Sequence, residues 1–229
     1  MKKKSSKRYK KLIKTYSNNK AETLEVAIKK IKENCTTKFD ESIDVSLNLN
    51  LKQKKEEANL RTIVNLPHGN GKKVKIAVLC EESKIAEAKD AGAVLAGSEN
   101  LISDITAGKI NFDKLIATPV MMSKMGKLGK ILGPKGLMPN PKLGTVTADV
   151  KKAVKALKEG QIEIKNDKDG NIAASIGKKS FPDIKIIENF NAFIQTIQKE
   201  KPSKIKGDFI LSSFLTSTMG ISYKLKLRA

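Results

Sequence analysis

Hydrophobic positions along the chain follow two different styles. Leu24, Ile28, Ile31 and Cys35 recur at spacings of four, three and four, which places them on one face of a helix. Ile43, Val45, Leu47, Leu49 and Leu51 then alternate with polar residues, the mark of a strand with one packed and one wet face. At Leu66-Pro67-His68-Gly69-Asn70-Gly71 the pattern breaks, which predicts a linker. Beyond it, residues 74–80 are almost continuously apolar, and the pattern predicts a helix over 83–91, a strand over 93–95, a helix over 99–107 and a strand over 115–117. Strand, helix, strand, helix implies a parallel sheet covered on both faces. A further helix over 149–158 ends at Gly160.

Alternation then returns. Ile162 and Ile164 lead into Asp167-Lys168-Asp169-Gly170, and Ile172, Ala174 and Ile176 lead out, which predicts a hairpin. Pro182-Asp183 opens a helix with Ile184, Ile187, Phe190, Ile194 and Ile197 on one side, stopped by Pro202. Two closing strands carry Phe209, Leu211 and Leu215, then Ile221, Tyr223, Leu225 and Leu227. Both ends share one style and the middle has another. The expected architecture is therefore a discontinuous α+β outer domain, residues 1–66 plus 160–229, interrupted by an inserted α/β domain at 67–159.

Composition narrows the function. Lys plus Arg number 45 against 24 Asp plus Glu, a net charge of +21 that attracts polyanions, nucleic acid first among them. Only Arg8, Arg61 and Arg228 are arginines, so bidentate reading of guanine is scarcely available and affinity must come from phosphate charge and shape. His68 is the only histidine; a His-rich metal site is excluded, and its place beside a Pro-Gly linker suits a hinge hydrogen-bonder better than a catalyst. Cys35 and Cys80, with no CxxC, read as buried thiols of a reducing compartment. The longest aliphatic run, 76–80, is far short of the ~18 residues of a membrane span, and no apolar signal core is present, so a soluble, non-secreted protein is expected. Residues 1–21 contain no acid and read as a basic arm for RNA; an organelle transit peptide would favour Arg over Lys.

Three short motifs fail on inspection. Gly69-Asn70-Gly71 lacks the third glycine of a dinucleotide fingerprint and precedes a strand; Gly92 to Gly97 has Walker A spacing but Ser98-Glu99 where Lys-Ser/Thr is needed. Gly126-Lys127-Leu128-Gly129 and Gly133-Pro134-Lys135-Gly136 satisfy a GxxG clamp, yet Pro139 and Pro141 interrupt the helix that a KH loop requires. The whole segment 121–142 is more telling. It carries Lys124, Lys127, Lys130, Lys135 and Lys142 with no acid, and its Gly and Pro predict a long rigid loop able to approach phosphate.

Ala117-Thr118-Pro119, Gly126-Lys127-Leu128-Gly129, the run from Ile131-Leu132-Gly133-Pro134-Lys135-Gly136 through Leu137-Met138-Pro139-Asn140-Pro141-Lys142, and Gly144-Thr145-Val146-Thr147 together resemble the signature of the large-subunit ribosomal protein L-one family, bacterial type. Lys7-Arg8-Tyr9, Lys38-Phe39-Asp40-Glu41-Ser42, Leu66-Pro67-His68-Gly69, Gly177-Lys178 and Thr218-Met219-Gly220 match family positions as well. The resemblance implies an outer domain that binds the rRNA of the mobile stalk beside the ribosomal E site and a Rossmann-like insert. It also implies a part in releasing deacylated tRNA, and repression of translation through the leader of the protein's own mRNA. Carried over, it marks Lys38, Phe39, Lys165, Gly170, Gly177, Lys178, Ser180, Thr216, Ser217, Thr218, Met219 and Gly220 as RNA-binding; the charge of the Lys124 to Lys142 segment makes that segment a candidate tRNA-facing basic surface. Thr62, Ala173 and Ile221 depart from the family's usual Gly, His and Pro. No catalytic residue, metal or cofactor is expected, and the location is the ribosome of the cytoplasm. Two alternatives stand beside this reading: a nucleotide-dependent enzyme built on the insert, and a free RNA chaperone or repressor.

Overall fold

The computed structural model describes residues 6–15, 21–51, 60–202 and 207–226. In chain order the elements are α1 (Lys7–Thr15), α2 (Leu24–Asn34), β1 (Ser42–Leu49), β2 (Arg61–Asn65), β3 (Ile76–Leu79), α3 (Ile85–Asp90), β4 (Leu95–Gly97), α4 (Glu99–Thr106), β5 (Lys114–Ala117), α5 (Pro119–Met125), α6 (Gly129–Leu132), α7 (Val150–Glu159), β6 (Gln161–Lys165), β7 (Asn171–Lys178), α8 (Asp183–Lys199), β8 (Ile210–Ser217) and β9 (Tyr223–Leu225). The chain is a mixed α/β protein that divides into two compact units, 1–71 with 162–229 and 72–161.

In the first unit β1 lies at the centre of an antiparallel sheet of order β7-β1-β8-β9, and β2 pairs with β6 in a separate two-stranded sheet. Ile43, Val45, Leu47 and Leu49 are buried and pack with Ile28 and Ile31 of α2 and Phe190, Phe193 and Ile197 of α8. Ser42, Asp44, Ser46 and Asn48 occupy the alternate, half-buried positions of the same strand, as the period of two requires. Two irregularities re-aim side chains. Asn48 pairs with Ser212 and Leu49 with Ile210, so Leu211 is the extra residue of a bulge and stands 53% exposed, against the sequence expectation. Ile43 pairs with Gly177 and Asp44 with Ser175, and this second bulge turns both Ile176 and Gly177 inward.

Other expectations are corrected here. The predicted hairpin is a turn between strands of different sheets, since β6 pairs with β2 and β7 with β1. Asp167 builds that turn, accepting from the N–H groups of Asp169 and Asn171 at 3.0 and 2.7 Å. The buried stripe of α8 is Ile186, Asn189, Phe190, Phe193 and Ile197, while Ile184 is 68% exposed. Asn189 belongs to that stripe because its amide donates to Gly69 O and Ile176 O, at 2.9 and 2.7 Å, and its oxygen accepts from His68 N–H. The ring of His68 meets the carboxylate of Glu188. Leu227 lies outside the described residues.

The second unit has a parallel sheet of order β4-β3-β5. Alternate residues of β3 feed two cores: Ile76 and Val78 pack with Val150 and Val154 of α7, and Ala77 and Leu79 with Leu101 and Ile105 of α4 and with α5 and α6. Burial on both faces explains the unbroken apolar run. The strand expected at 93–95 forms two residues later, over Leu95–Gly97. Segment 121–142 is not a loop for most of its length. It folds as α5, a 3-10 turn at Gly126–Leu128, α6 and a 3-10 turn at Pro141–Leu143, with Met121, Met125, Leu128 and Leu132 buried at spacings of four, three and four. Among the described residues no helix is long and apolar enough to cross a membrane.

Candidate nucleic-acid interface

One end of the four-stranded sheet gathers most of the residues singled out in the sequence. The start of β1, the end of β7 and the end of β8 meet there, with Ser42 opposite Lys178 and Ile43 between Gly177 and Ser217. The loop after α2 carries Lys38 and Phe39, and the turn after β8 carries Thr218, Met219 and Gly220. Phe39 is 53% exposed and Met219 48%, two large apolar side chains presented to solvent. Lys38, Ser180 and Thr218 are exposed, and Lys178 and Thr216 are half-buried.

The turn is held from beneath by Glu41, which is fully buried. One of its carboxylate oxygens accepts from the Thr37 hydroxyl at 2.8 Å and the other from Met219 N–H at 3.1 Å. Burial opposes the charge of this group, but hydrogen bonds from the Thr37 hydroxyl, Met219 N–H and the Ser217 hydroxyl outweigh it and hold the carboxyl below its ordinary value. Asp40 plays the parallel part for Ser180, accepting from its N–H and its hydroxyl at 3.1 and 2.8 Å. Lys179 N–H donates to Glu41 O and its ammonium to Cys35 O, each at 2.8 Å. The sequence reading assigned no role to Thr37, Asp40, Glu41 or Lys179. Two adjacent acids among basic and hydroxyl residues were the available signal.

Several expected contact residues also make bonds or close contacts within the framework. Ser217 is buried with its hydroxyl toward Glu41. The Thr218 hydroxyl is engaged with its own framework, accepting from Ser42 N–H at 3.0 Å and reaching Ser42 O at 3.3 Å. A Cβ on Gly220 would fall 2.2 Å from Ser217 Oγ, and one on Gly177 would sit 3.2 Å from the Phe181 ring, so these glycines admit close packing. Gly170 is buried at φ +80°, with Leu49 O 2.8 Å from where a Cβ would stand. Gly170 immediately precedes β7, whose two ends are roughly 24 Å apart, and Lys165 ends β6 on the far side of the same turn. An open groove of about 670 Å³ on the polar face of the sheet, lined by Ser46, Asn48, Lys165, Asn171, Ser212 and Phe214 among others, begins at that far end.

In the second unit the predicted basic surface is Lys127, Lys130, Lys135 and Lys142, all exposed. Lys124 differs: its ammonium is paired with Glu99 at 2.7 Å, and that bond holds the Glu99 carboxyl below its ordinary value. Cys35 and Cys80 are buried free thiols, both pushed up by burial. No cluster of His, Cys, Asp and Glu able to hold a metal occurs among the described residues.

The chain is a lysine-rich α/β protein that shapes one sheet end from glycines, backbone amides and internally bonded acids. Comparison with known proteins places it in a family. Residues 31–221 match the family described as ribosomal protein L1p/L10e. The large ribosomal subunit protein uL1 of Pelagibacter ubique is 58% identical over 223 residues, 97% of each chain. The proteins of the same description from Rickettsia bellii and Rickettsia conorii are each 48% identical, over 204 and 201 residues, covering 89% and 88% of this chain and 85% and 84% of theirs. The chain belongs to the ribosomal protein L1p/L10e family, a family of ribosomal proteins rather than enzymes.

Proposed function

We propose that this chain is a constituent of the large ribosomal subunit that binds the rRNA of the mobile stalk beside the E site through the sheet end formed by the Lys38-Phe39 loop, Lys178, Ser180 and the Thr216 to Gly220 turn. The observation that carries this reading is the exposure of Met219 and Phe39 on two loops that Glu41 ties together. Flat apolar contacts beside backbone amides suit the shallow minor groove of folded RNA, where ribose and phosphate are met by shape. The 3.1 Å bond from Met219 N–H to Glu41 fixes the orientation of that peptide without any side chain needing to read a base. The groove on the polar face of the four-stranded sheet, with Lys165 of β6 at its edge, extends the surface toward a longer footprint.

The Lys127, Lys130, Lys135 and Lys142 surface of the second unit supports a role toward the departing E-site tRNA, by field and phosphate contact. Repression through the chain's own mRNA leader follows if that leader reproduces the shape of the stalk. The test is direct. Met219→Ala, and Thr218→Val, which removes the two hydroxyl bonds to Ser42, should each weaken binding of a stalk rRNA transcript by about 1–3 kcal/mol while the fold is retained. Wild-type affinity in both folded variants means that this sheet end is not the RNA surface.

A further inference from the structure

Glu41 ties the two exposed loops from inside, and one cation ties the same two loops from outside. Arg8, on α1, donates from one guanidinium nitrogen to Met219 O at 2.7 Å and from another to Thr36 Oγ1 at 3.3 Å. Thr36 belongs to the loop that carries Lys38 and Phe39. The peptide groups flanking Met219 Cα are thus held at both ends by opposite charges, its N–H by a carboxylate and its carbonyl by a guanidinium.

The choice of residue is informative. Of 45 basic side chains only three are Arg. Arg61, the other arginine within the described residues, also uses two nitrogens at once, on Glu163 at 2.8 and 2.7 Å. In a chain that otherwise supplies positive charge as Lys, Arg stands where a rigid two-pronged donor is required, a geometry that an ammonium does not reproduce.

The rest of α1 is arranged around this bond. Ser6 accepts from Tyr9 N–H at its N-terminus, Leu12 is buried one turn after Arg8, and Lys7, Lys10 and Lys14 are exposed. At 3.6 residues per turn these lysines fall within about 60° of arc, on a face roughly opposite the one that Arg8 and Leu12 turn to the protein. Five cations and no acid in nine residues repel one another, and a helix that short is marginal on its own in water. Its attachment to the protein therefore decides where the lysines stand.

We propose that Arg8 is a positioning residue that registers the lysine stripe of α1 against the Met219 turn, making α1 the phosphate-binding flank of the RNA surface. This rests on the reading of that turn as RNA-facing. RNA whose sugars or bases lie on Met219 and Phe39 carries its phosphates past Lys7, Lys10 and Lys14, and Arg8 couples the two halves.

The experiment measures binding of the full chain to a stalk rRNA transcript between about 50 and 200 mM salt, where each lost phosphate contact lowers the slope of log affinity against log salt by about one. Lys7, Lys10 and Lys14 changed together to Gln should lower it by about three. Arg8→Ala removes one charge, yet should lower the slope by two or more, because the lysines lose their register. Arg8→Lys keeps the charge without the fork and should retain most of the defect. A loss of one or less in Arg8→Ala, or full recovery in Arg8→Lys, overturns the positioning role. Met219→Ala in parallel separates the two readings: normal affinity there overturns the turn as an RNA surface, whereas weakened affinity with unchanged slopes in the α1 variants overturns only the flank.

Discussion

Glu41 illustrates how a buried residue can govern the shape of two exposed loops. A buried carboxylate without donors would be protonated or excluded from the core; here hydroxyl and backbone donors keep it ionised. Its folded pKa lies below its unfolded value, so the stabilisation it contributes is present in full above about pH 4.5 and is lost as pH falls through the lowered folded value. Glu41→Gln is expected to destabilise the protein by about 1–3 kcal/mol at neutral pH and to flatten this part of its acid dependence, because the amide offers one acceptor where two are used. Denaturant melts of both proteins across the acid range check the claim, and an unchanged acid limb in the variant refutes it.

Among elements, the helical run from α5 to α6 departs furthest from expectation. Gly126, Gly129, Gly133 and the neighbouring prolines suggested a long rigid loop, but Gly126, Gly129 and Gly133 have φ of −51°, −55° and −56°, ordinary right-handed helix. The four-three-four spacing of Met121, Met125, Leu128 and Leu132 was present in the sequence and was outweighed by glycine's reputation as a breaker. The structure separates two glycines of similar appearance. A Cβ at Gly126 meets nothing within 4 Å, whereas one at Gly133 falls 2.6 Å from Gly129 O. Gly126→Ala should stabilise by about 0.4–1 kcal/mol and Gly133→Ala should destabilise by more than that, as read by thermal melts; the opposite order would discard the assignment. The alternation in β1 and the spacing in α2 were legible because burial on one face leaves a period in the residues. The bulges exposing Leu211 and burying Gly177 were not, since they arise from pairing with strands distant in sequence. Of the candidate site, the exposed members could be named from the sequence and the buried supports could not. Glu41 looks like a surface acid, and the exposed Asp40 like an unengaged one, until Met219 and Ser180 are brought beside them.

At the scale of the molecule, each unit owns its core: Ile43, Leu47, Phe190 and Phe193 in one, Ile105, Met125 and Leu128 in the other, with Ile76, Val78 and Val154 on the second face of the parallel sheet. The chain leaves the first unit after β2 and re-enters it at β6, which are paired neighbours. Excising 72–161 and joining the ends by a short Gly/Ser link should therefore leave a folded unit that keeps most stalk affinity and loses any effect on tRNA departure. RNA binding and tRNA release on reconstituted ribosomes measure the two halves; loss of stalk binding by a well-folded fragment would move the RNA surface to the excised unit. The same connectivity bears on how the protein is made. β1 is synthesised early, but both of its neighbours, β7 and β8, begin more than 120 residues later. At roughly 5–20 residues per second, the central strand waits on the order of 6–26 s after its own last residue before β7 is complete, while the residues of the second unit are all synthesised in the interval. Its unpaired edges are exposed throughout that delay, a hazard of misassociation on the nascent chain. The polar residues that alternate along β1, Asp44 among them, keep one face of the waiting strand from being a hydrophobic template.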